Sequence, residues 1–282
     1  MTDTYSLIDS GNGKKIEKFG SCLIVRPAAQ AIWQPQLPEK EWRKADAEFS
    51  REGKCRWVKK GGDRWEIELA GIRFLLSATD FGHLGLFPEQ KDLWLWMRSA
   101  IKNRIKEERK EVRILNLFAY SGGATLVAAE AGAHVTHLDA SKGMVSWARE
   151  NALLNGLQDK PIRWIVDDVI KFLDREKRRG RQYEGIILDP PTYGRGSQGQ
   201  VFKFERDLLE VLRCCKELLS DRPLFLLLSS HTPNITPLGL QNILLQTMNG
   251  CDGQVECGEM LLKGNFAVFP LPNGIFARWH HG

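Results

Sequence analysis

The chain has 282 residues, of which 43% are hydrophobic and 27% are charged, a composition typical of a folded globular protein rather than a disordered one. The first residues, MTDTYSLIDS, lack the apolar core of a secretory signal, and the most apolar run, Pro223 to Leu228, is too short to span a bilayer. The six cysteines form no CxxC pair and no metal-ligand spacing, so we expect a cytoplasmic protein without a metal or a membrane partner.

The first 80 residues predict a small α+β domain, which we consider a candidate for binding the substrate. Three runs in it have the composition of strands, and a polar stretch between them has helical spacing. The predicted strands are Gly20 to Pro27, Cys55 to Lys59 and Trp65 to Ser77, and the predicted helix is Glu39 to Ser50.

From Val112 onward, strand and helix patterns alternate. Five apolar runs are predicted as strands: Val112 to Tyr120, His134 to Asp139, Ile162 to Asp168, Tyr183 to Asp189 and Pro223 to Ser230. Unbroken apolar strands that alternate with helices indicate a parallel sheet covered on both faces. We therefore predict an α/β fold with a Rossmann-like, doubly wound, mostly parallel sheet over residues 81–282. The tail from Gln254 to Trp279 predicts a terminal pair of hairpin strands.

Small or acidic residues follow four of these strands. In an open parallel sheet, ligands bind outside the carboxyl ends of the strands. Gly122 allows a close approach of the backbone, and Asp139, seventeen positions later, could accept hydrogen bonds from two ribose hydroxyls. Asp168 could accept from an adenine amino group. Each aspartate alone could equally be a helix N-cap, but the four strand ends in this order predict a nucleoside-containing cofactor.

The turn after the first of these strands distinguishes between two cofactors. A nicotinamide fold usually has G-x-G-x-x-G, which holds a pyrophosphate at the start of the next helix. Here the turn reads AYSGGAT, without a third glycine in register. S-adenosyl-L-methionine has no phosphate, so the sequence favours this cofactor over a dinucleotide.

The motifs LNLFAYSGG, HLDAS, the pair Asp167-Asp168 and LDPPTYGRG resemble those of class I S-adenosylmethionine-dependent methyltransferases. More narrowly, the chain resembles the bacterial large-subunit (23S) rRNA methyltransferases that act on cytosine C5 or guanine N7, although no PUA-type RNA-binding domain is recognisable. GHLGLFPEQ, residues 82–90, resembles the segment that closes over the cofactor in that family. The resemblance implies cofactor contacts by Phe87, Gln90, Phe118, Tyr120, Ser121, Gly122, Asp139, Ser141, Asp168 and Asp189. For Phe87 and Gln90, a packing role is the alternative.

The stretch ILDPPTYGRG has two interpretations. Two consecutive prolines remove two N–H donors and hold the chain extended, which could simply make a stiff exit from the strand. Alternatively, the loop holds the acceptor base. Asp189 and the carbonyl of Pro190 would then accept N–H groups of the base, and Tyr193 would stack on its ring. We predict Asp189, Pro190 and Tyr193 as the catalytic residues.

The acceptor atom is predicted from the absence of a nucleophile. Methylation at C5 of a pyrimidine requires a cysteine thiolate, yet neither DPPTY nor Ser229-Ser230-His231 contains one. Cys214 and Cys215 lie in a predicted helix, where cysteine usually acts as a small apolar residue. A base nitrogen is the better acceptor. His231 could orient the base or be structural, and Arg195 could reach a phosphate or remain solvated.

These observations predict an S-adenosylmethionine-dependent methyltransferase that modifies a base nitrogen of ribosomal RNA. A methyltransferase for a protein or a small molecule is one alternative, and a non-catalytic nucleotide-binding protein is another. The basic run from Lys177 to Arg181 is interpreted as a solvated helix end rather than as a site.

Overall fold

The computed structural model describes residues 3–50, 56–59, 64–196, 199–264 and 267–281. It contains two compact units, Met1–Asp92 with Met260–Asn273 (the first unit) and Leu93–Glu259 with Gly274–Gly282 (the second unit). Within these described ranges, no helix has the length and apolar character needed to cross a membrane. The domain boundary after residue 80 and the substrate-binding role of the N-terminal part stay predictions.

The N-terminal part of the chain is richer in strands than its sequence predicts. One sheet of five strands has the order β1-β2-β3-β4-β5, and β6 pairs with β7 in a separate hairpin. The elements are β1 (Tyr5–Gly11), β2 (Lys14–Phe19), β3 (Cys22–Pro27), helix α1 (Glu39–Trp42), β4 (Ala47–Ser50), β5 (Arg56–Lys59), β6 (Trp65–Leu69), β7 (Ile72–Leu76) and a 3-10 turn over Pro88–Gln90.

The helix predicted for Glu39 to Ser50 is wrong beyond Trp42. Asp46 explains the change, because its N–H donates to the carbonyl of Leu23 at 2.7 Å and its carboxylate accepts the Leu23 N–H at 2.8 Å. This pairing starts β4 alongside β3. Every second residue of β4, Ala47 and Phe49, then points into the interior. A period of two therefore replaces the predicted helical period.

The single strand predicted from Trp65 to Ser77 is in fact a hairpin. Ala70 and Gly71 adopt φ values of 54° and 71°, the left-handed conformations that a tight two-residue turn requires. Cys55, which begins the other predicted strand, lies outside the described residues, and the remainder of that prediction forms β5.

The rest of the chain alternates strands and helices, as predicted. Its elements are α2 (Lys91–Glu108), β8 (Arg113–Leu117), α3 (Gly123–Glu130), β9 (His134–Asp139), α4 (Lys142–Leu154), β10 (Ile162–Val166), α5 (Val169–Arg178), β11 (Gly185–Leu188), β12 (Tyr193–Arg195), β13 (Val201–Lys203), α6 (Phe204–Leu218), β14 (Phe225–Ser230), α7 (Pro237–Thr247), β15 (Gln254–Leu262) and β16 (Leu271–His280). The terminal strands β15 and β16 are neighbours in one sheet, as the tail pattern predicts.

The central sheet has seven strands in the order β10-β9-β8-β11-β14-β16-β15. The first five run parallel, and β16 is antiparallel to β14. The strand order reverses between β8 and β11, so their carboxyl ends form the switch point where such sheets bind ligands. The predicted doubly wound, mostly parallel sheet is confirmed.

The helices bury apolar stripes against this sheet. In α6, Leu208, Leu212 and Cys215 lie on the inner stripe and are buried, together with residues of α5 and of the strands. Burial of one such side chain contributes about 1.5–3 kcal/mol. The core thereby fixes the positions of the strand ends that carry the polar loops.

A buried polar chain crosses the centre of the sheet. Asn116 on β8 donates to the Thr125 hydroxyl of α3 at 2.9 Å, and that hydroxyl lies 2.9 Å from Nδ1 of His137 on β9. His137 is fully buried, and burial lowers its pKa to about 3. Since charging an imidazole here would place a cation in the core, the folded protein keeps it neutral.

Acid should therefore destabilise the protein through His137. Its folded pKa of about 3 lies below the ordinary value of 6.5, so the unfolded state binds the proton first and stability falls as pH drops from 6.5 towards 3. We expect this residue to contribute a loss of about 2 kcal/mol in the free energy of unfolding between pH 7 and pH 5. Urea unfolding of the His137→Gln variant should show a correspondingly smaller loss over that interval.

The matched control is His134→Gln, since His134 lies on the same strand but is half exposed and pairs with Glu111 at 3.1 Å. The control should lose as much stability as the wild type. An equal loss in His137→Gln would contradict the assignment.

Candidate active site

The loop after β8, residues 118–122, leads into Gly123 at the start of α3, and we call it the SGG loop after residues 121–123. Its backbone is unusual. Phe118, Tyr120 and Gly122 adopt φ values of 55°, 52° and 93°. Left-handed conformations at non-glycine residues cost about 1–3 kcal/mol each and persist only where neighbours hold them. At Gly122, a Cβ atom would lie 3.0 Å from Cβ of Ala148 in α4. The loop therefore has a specific shape that its surroundings impose.

Asp139, at the end of β9, is one of those neighbours. Its Oδ2 accepts the N–H of Tyr120 at 2.9 Å and its Oδ1 accepts the N–H of Ser141 at 2.8 Å. Burial raises the pKa of this carboxyl group, and the two N–H donors oppose that rise. Each carboxylate oxygen has a further lone pair, so the same group can also accept from a ligand hydroxyl.

Asn151 of α4 holds the loop from the other side. This fully buried side chain donates from Nδ2 to the carbonyl of Ser121 at 3.0 Å. Sequence reasoning missed Asn151, because a polar residue in an amphipathic helix is ordinarily assigned to the solvent face.

Two predicted contacts also cap helices. The Ser141 hydroxyl accepts the Met144 N–H at the start of α4, and the Asp168 carboxylate accepts the Lys171 N–H at 3.1 Å at the start of α5. The adjacent Asp167 donates its N–H to the Asp139 carbonyl at 3.2 Å. The ends of β9 and β10 are thus joined at the edge of the sheet that carries the SGG loop.

The loop after β11, which we call the DPPTY loop (residues 189–193), lies on the neighbouring strand of the switch point. Asp189 is partly buried, and its Oδ1 accepts from the Ser229 hydroxyl of β14 at 2.9 Å. Nδ1 of His231 lies 3.7 Å from the same oxygen. Pro190 is buried and Pro191 is exposed. The prolines stiffen the exit, and Ser229 fixes the acid that precedes them.

Tyr193 begins a short hairpin that the sequence analysis did not predict. Its strand β12 pairs antiparallel with β13, and the Tyr193 side chain is 48% exposed. Phe202 of β13 packs on Phe118 of the SGG loop with ring centroids 5.0 Å apart. Ring contact thus joins the hairpin to the first loop.

The predicted site residues fall into two groups. Ten of them lie at the carboxyl ends of strands β8 to β11, namely Phe118, Tyr120, Ser121, Gly122, Asp139, Ser141, Asp168, Asp189, Pro190 and Tyr193. Phe87 and Gln90 lie in the first unit, where the Phe87 ring contacts His83 at a centroid distance of 5.4 Å. Their contact with a cofactor stays a prediction.

The hydrogen-bond acceptors at this edge suit an adenosine-containing cation better than an anion. Carboxylates at 139, 168 and 189 line this edge, whereas a pyrophosphate would require N–H groups and cations. Among the residues described by the structure, no group of three or more His, Cys, Asp or Glu side chains is arranged to hold a metal ion.

Comparison with known proteins agrees with this arrangement. Residues 43–248 match the family model of S-adenosylmethionine-dependent methyltransferases. The crystal structure of a SAM-dependent methyltransferase from Agrobacterium tumefaciens is 40% identical, with a TM-score of 0.93 over 100% of this chain and 91% of that one. A methyltransferase structure containing SAH shares the fold at 18% identity and a TM-score of 0.75, over 98% of this chain and 75% of that one.

Curated relatives match over a shorter region. The ribosomal RNA large subunit methyltransferase K/L of Pseudomonas paraeruginosa is 37% identical over 149 residues, which cover 52% of this chain and 19% of the relative. Its namesake from Syntrophotalea carbinolica is 31% identical over 163 residues, covering 57% and 21% respectively. The match thus spans about a fifth of the length of these relatives.

The region that matches the family model contains α2 to α7, the five parallel strands of the sheet and both loops of the switch point, including Asp139. The chain belongs to the family of S-adenosylmethionine-dependent methyltransferases.

Proposed function

We propose that this protein transfers a methyl group from S-adenosyl-L-methionine to a base nitrogen of ribosomal RNA. The observation that carries the proposal is the pairing of two loops at the switch point. The SGG loop offers a shaped backbone beside Asp139, and the DPPTY loop places a fixed carboxylate and an exposed aromatic ring on the adjoining strand.

In this proposal, Asp139 accepts the ribose hydroxyls of the cofactor while it holds the SGG loop. Asp168 accepts from the adenine amino group, and Phe118, Tyr120, Ser121 and Gly122 form the surface against which the cofactor lies. When bound, S-adenosylmethionine would supply the methyl group of its sulfonium. The base nitrogen would bond to the methyl carbon in line as the C–S bond breaks, and S-adenosylhomocysteine would leave as the neutral thioether. The residues of the chain act mainly by positioning the two reactants, a contribution that can reach several kcal/mol.

Asp189 then orients the acceptor. Held by the Ser229 hydroxyl, its carboxylate accepts an N–H of the base, which turns the reacting nitrogen towards the methyl group. The Pro190 carbonyl is a second acceptor, and Tyr193 stacks on the base. His231, next to Asp189, would hold the carboxylate in this orientation.

The described cysteines favour nitrogen over C5 as the acceptor atom. Cys214 and Cys215 lie within α6, where burial raises the pKa of both thiols and disfavours the thiolate. Cys22, Cys251 and Cys257 lie away from the ends of β11 and β14 in the chain. The loops that follow β11 and β14 contain no cysteine, so neither loop supplies a thiolate for attack on a pyrimidine ring.

Ribosomal RNA is proposed as the substrate because the curated relatives that match 52–57% of this chain are large-subunit rRNA methyltransferases. Such a substrate would also place the protein in the cytoplasm. The first unit, with its five-stranded sheet, is proposed to help bind the RNA.

Asp139→Ala should weaken cofactor binding. Loss of a charged acceptor for two hydroxyls costs about 2 kcal/mol or more, or roughly a 30-fold increase in Kd. Calorimetric titration with S-adenosylmethionine and with its demethylated product measures this change. Asp159→Ala, which removes an exposed acid in the turn before β10, is the matched control and should bind as the wild type does. Wild-type affinity in a folded Asp139→Ala protein would remove Asp139 from the site.

The two residues of the DPPTY loop should separate by role. Asp189→Ala should slow the chemical step roughly a hundredfold, because a small misplacement of the nucleophile is sufficient. Tyr193→Ala should weaken both RNA binding and turnover, since stacking contributes roughly 1–3 kcal/mol per base. Both variants should keep cofactor affinity within a few-fold of the wild type.

The measurement is single-turnover transfer of labelled methyl groups to large-subunit rRNA from a strain that lacks this protein. Wild-type rates in both variants would mean that the prolines only stiffen the strand exit. Label found in protein or in a small molecule, with none in rRNA, would favour the alternative substrates.

No covalent adduct with the base should form. Replacing Cys214 and Cys215 by alanine should leave methyl transfer intact wherever the fold survives, because neither thiol takes part in it. Incubation with RNA that contains 5-fluoropyrimidines, followed by denaturing electrophoresis, tests this point. A trapped complex that disappears in a single-cysteine variant would refute methylation at nitrogen.

A further inference from the structure

We propose that the paired strands β12 (Tyr193–Arg195) and β13 (Val201–Lys203) form a clamp for the backbone of an unpaired RNA segment, with Arg195 and Lys203 contacting phosphates on either side of the base that stacks on Tyr193. This inference rests on the proposed RNA substrate and adds the element that holds the RNA beside the acceptor loop.

The inner face of the hairpin is committed to packing. Gly194 and Phe202 are cross-strand partners, and Phe202 is 8% exposed. Phe202 packs on Phe118, and a Cβ atom at Gly194 would lie 3.1 Å from Cγ of Pro191. One face of the hairpin therefore lies against the SGG and DPPTY loops, and its position is tied to theirs.

The outer face is exposed and basic. Side chains alternate between the faces of a strand, and directly paired residues share a face. Tyr193 pairs with Lys203 and Arg195 pairs with Val201, so all four lie opposite Gly194 and Phe202. Tyr193, Arg195 and Lys203 are exposed. This face thus presents one aromatic ring and two cations immediately after the acceptor loop.

Both cations keep N–H donors that a ligand could use. In the described part of the chain, neither Arg195 nor Lys203 forms a salt bridge, whereas nearby Arg206 pairs with Asp207 at 2.6 Å. The Asp207 carboxylate accepts a second hydrogen bond, from the backbone N–H of Lys203. The guanidinium of Arg195 donates from Nε to the Tyr193 hydroxyl at 3.0 Å and lies 5.7 Å from the ring centroid. Arg195 thereby holds the ring and keeps N–H groups for an anion.

An unpaired RNA segment fits this combination. A nucleotide whose base enters an active site must leave its stack, and its phosphates then remain outside the site. Proteins that hold such strands combine an aromatic platform with cations that follow the backbone. Here the ring and both cations share one face of two paired strands, and the first of these strands begins four residues after Asp189.

The test is the double variant Arg195→Gln/Lys203→Gln, with binding to an unmodified large-subunit rRNA transcript measured across salt concentrations. Loss of two phosphate contacts should reduce the slope of log K against log salt by about 1.4, and weaken binding roughly 20-fold at about 0.1 M salt. KM for the RNA should rise more than kcat falls, and the Kd for S-adenosylmethionine should stay near that of the wild type. The charge-conserving variant Arg195→Lys/Lys203→Arg should restore most of the slope.

The matched control is Lys160→Gln/Arg181→Gln. These two exposed residues precede β10 and β11, so they lie at the opposite edge of the sheet and line a shallow groove there. The control carries the same change in charge and should keep the wild-type slope.

If the hairpin variant keeps the slope and KM of the wild type, the clamp is overturned. The proposed function would still stand in that case, provided that the wild type methylates the RNA. Equal losses in the hairpin and control variants would also overturn it, because the effect would then be one of net charge. A wild-type protein that does not bind the transcript would refute both the RNA substrate and the clamp.

Discussion

The carboxylate of Asp139 links Tyr120 of the SGG loop, nineteen residues earlier in the chain, to the end of β9 and the start of α4. It does so by accepting the N–H groups of Tyr120 and Ser141. Because Phe118 and Tyr120 hold left-handed conformations, the loop would relax without partners that fix its backbone. The shape of the SGG loop therefore depends on an acid that is itself partly buried, in which desolvation and two N–H donors act in opposite directions on the pKa.

The order of the strands brings the SGG loop and the DPPTY loop to the same edge of the sheet. Since β11 pairs with β8, the loop that follows each strand lies at the same edge of the sheet, although the two loops are about 70 residues apart in the chain. Phe202 then packs on Phe118 and connects the hairpin to the SGG loop. Methyl transfer is a displacement in which geometry supplies much of the rate, so rigid strands under both loops suit the reaction.

Polar side chains behind the loops supply the second layer of support. Asn151 holds a carbonyl of the SGG loop, and Ser229 holds Asp189 of the DPPTY loop. The chain from Asn116 through Thr125 to His137 joins two strands and the helix that follows the SGG loop. Most buried polar groups are paired, and the hydrogen bonds of these residues favour one arrangement of their neighbours. The loops are thus held by buried polar side chains as well as by their direct backbone contacts.

The alternation of strands and helices, the parallel sheet and the acids at 139, 168 and 189 are predictable from the sequence, because unbroken apolar strands and residues at strand ends are local signals. The sequence could not determine the strand at 47–50, which forms because Asp46 pairs with Leu23, or the hairpin that carries Tyr193. Nor could it identify Asn151 or the pairing of Ser229 with Asp189, which lie 30 and 40 residues from their partners. Only the tertiary structure decides which polar groups meet across such separations, because the sheet register and the packing of the helices select each partner.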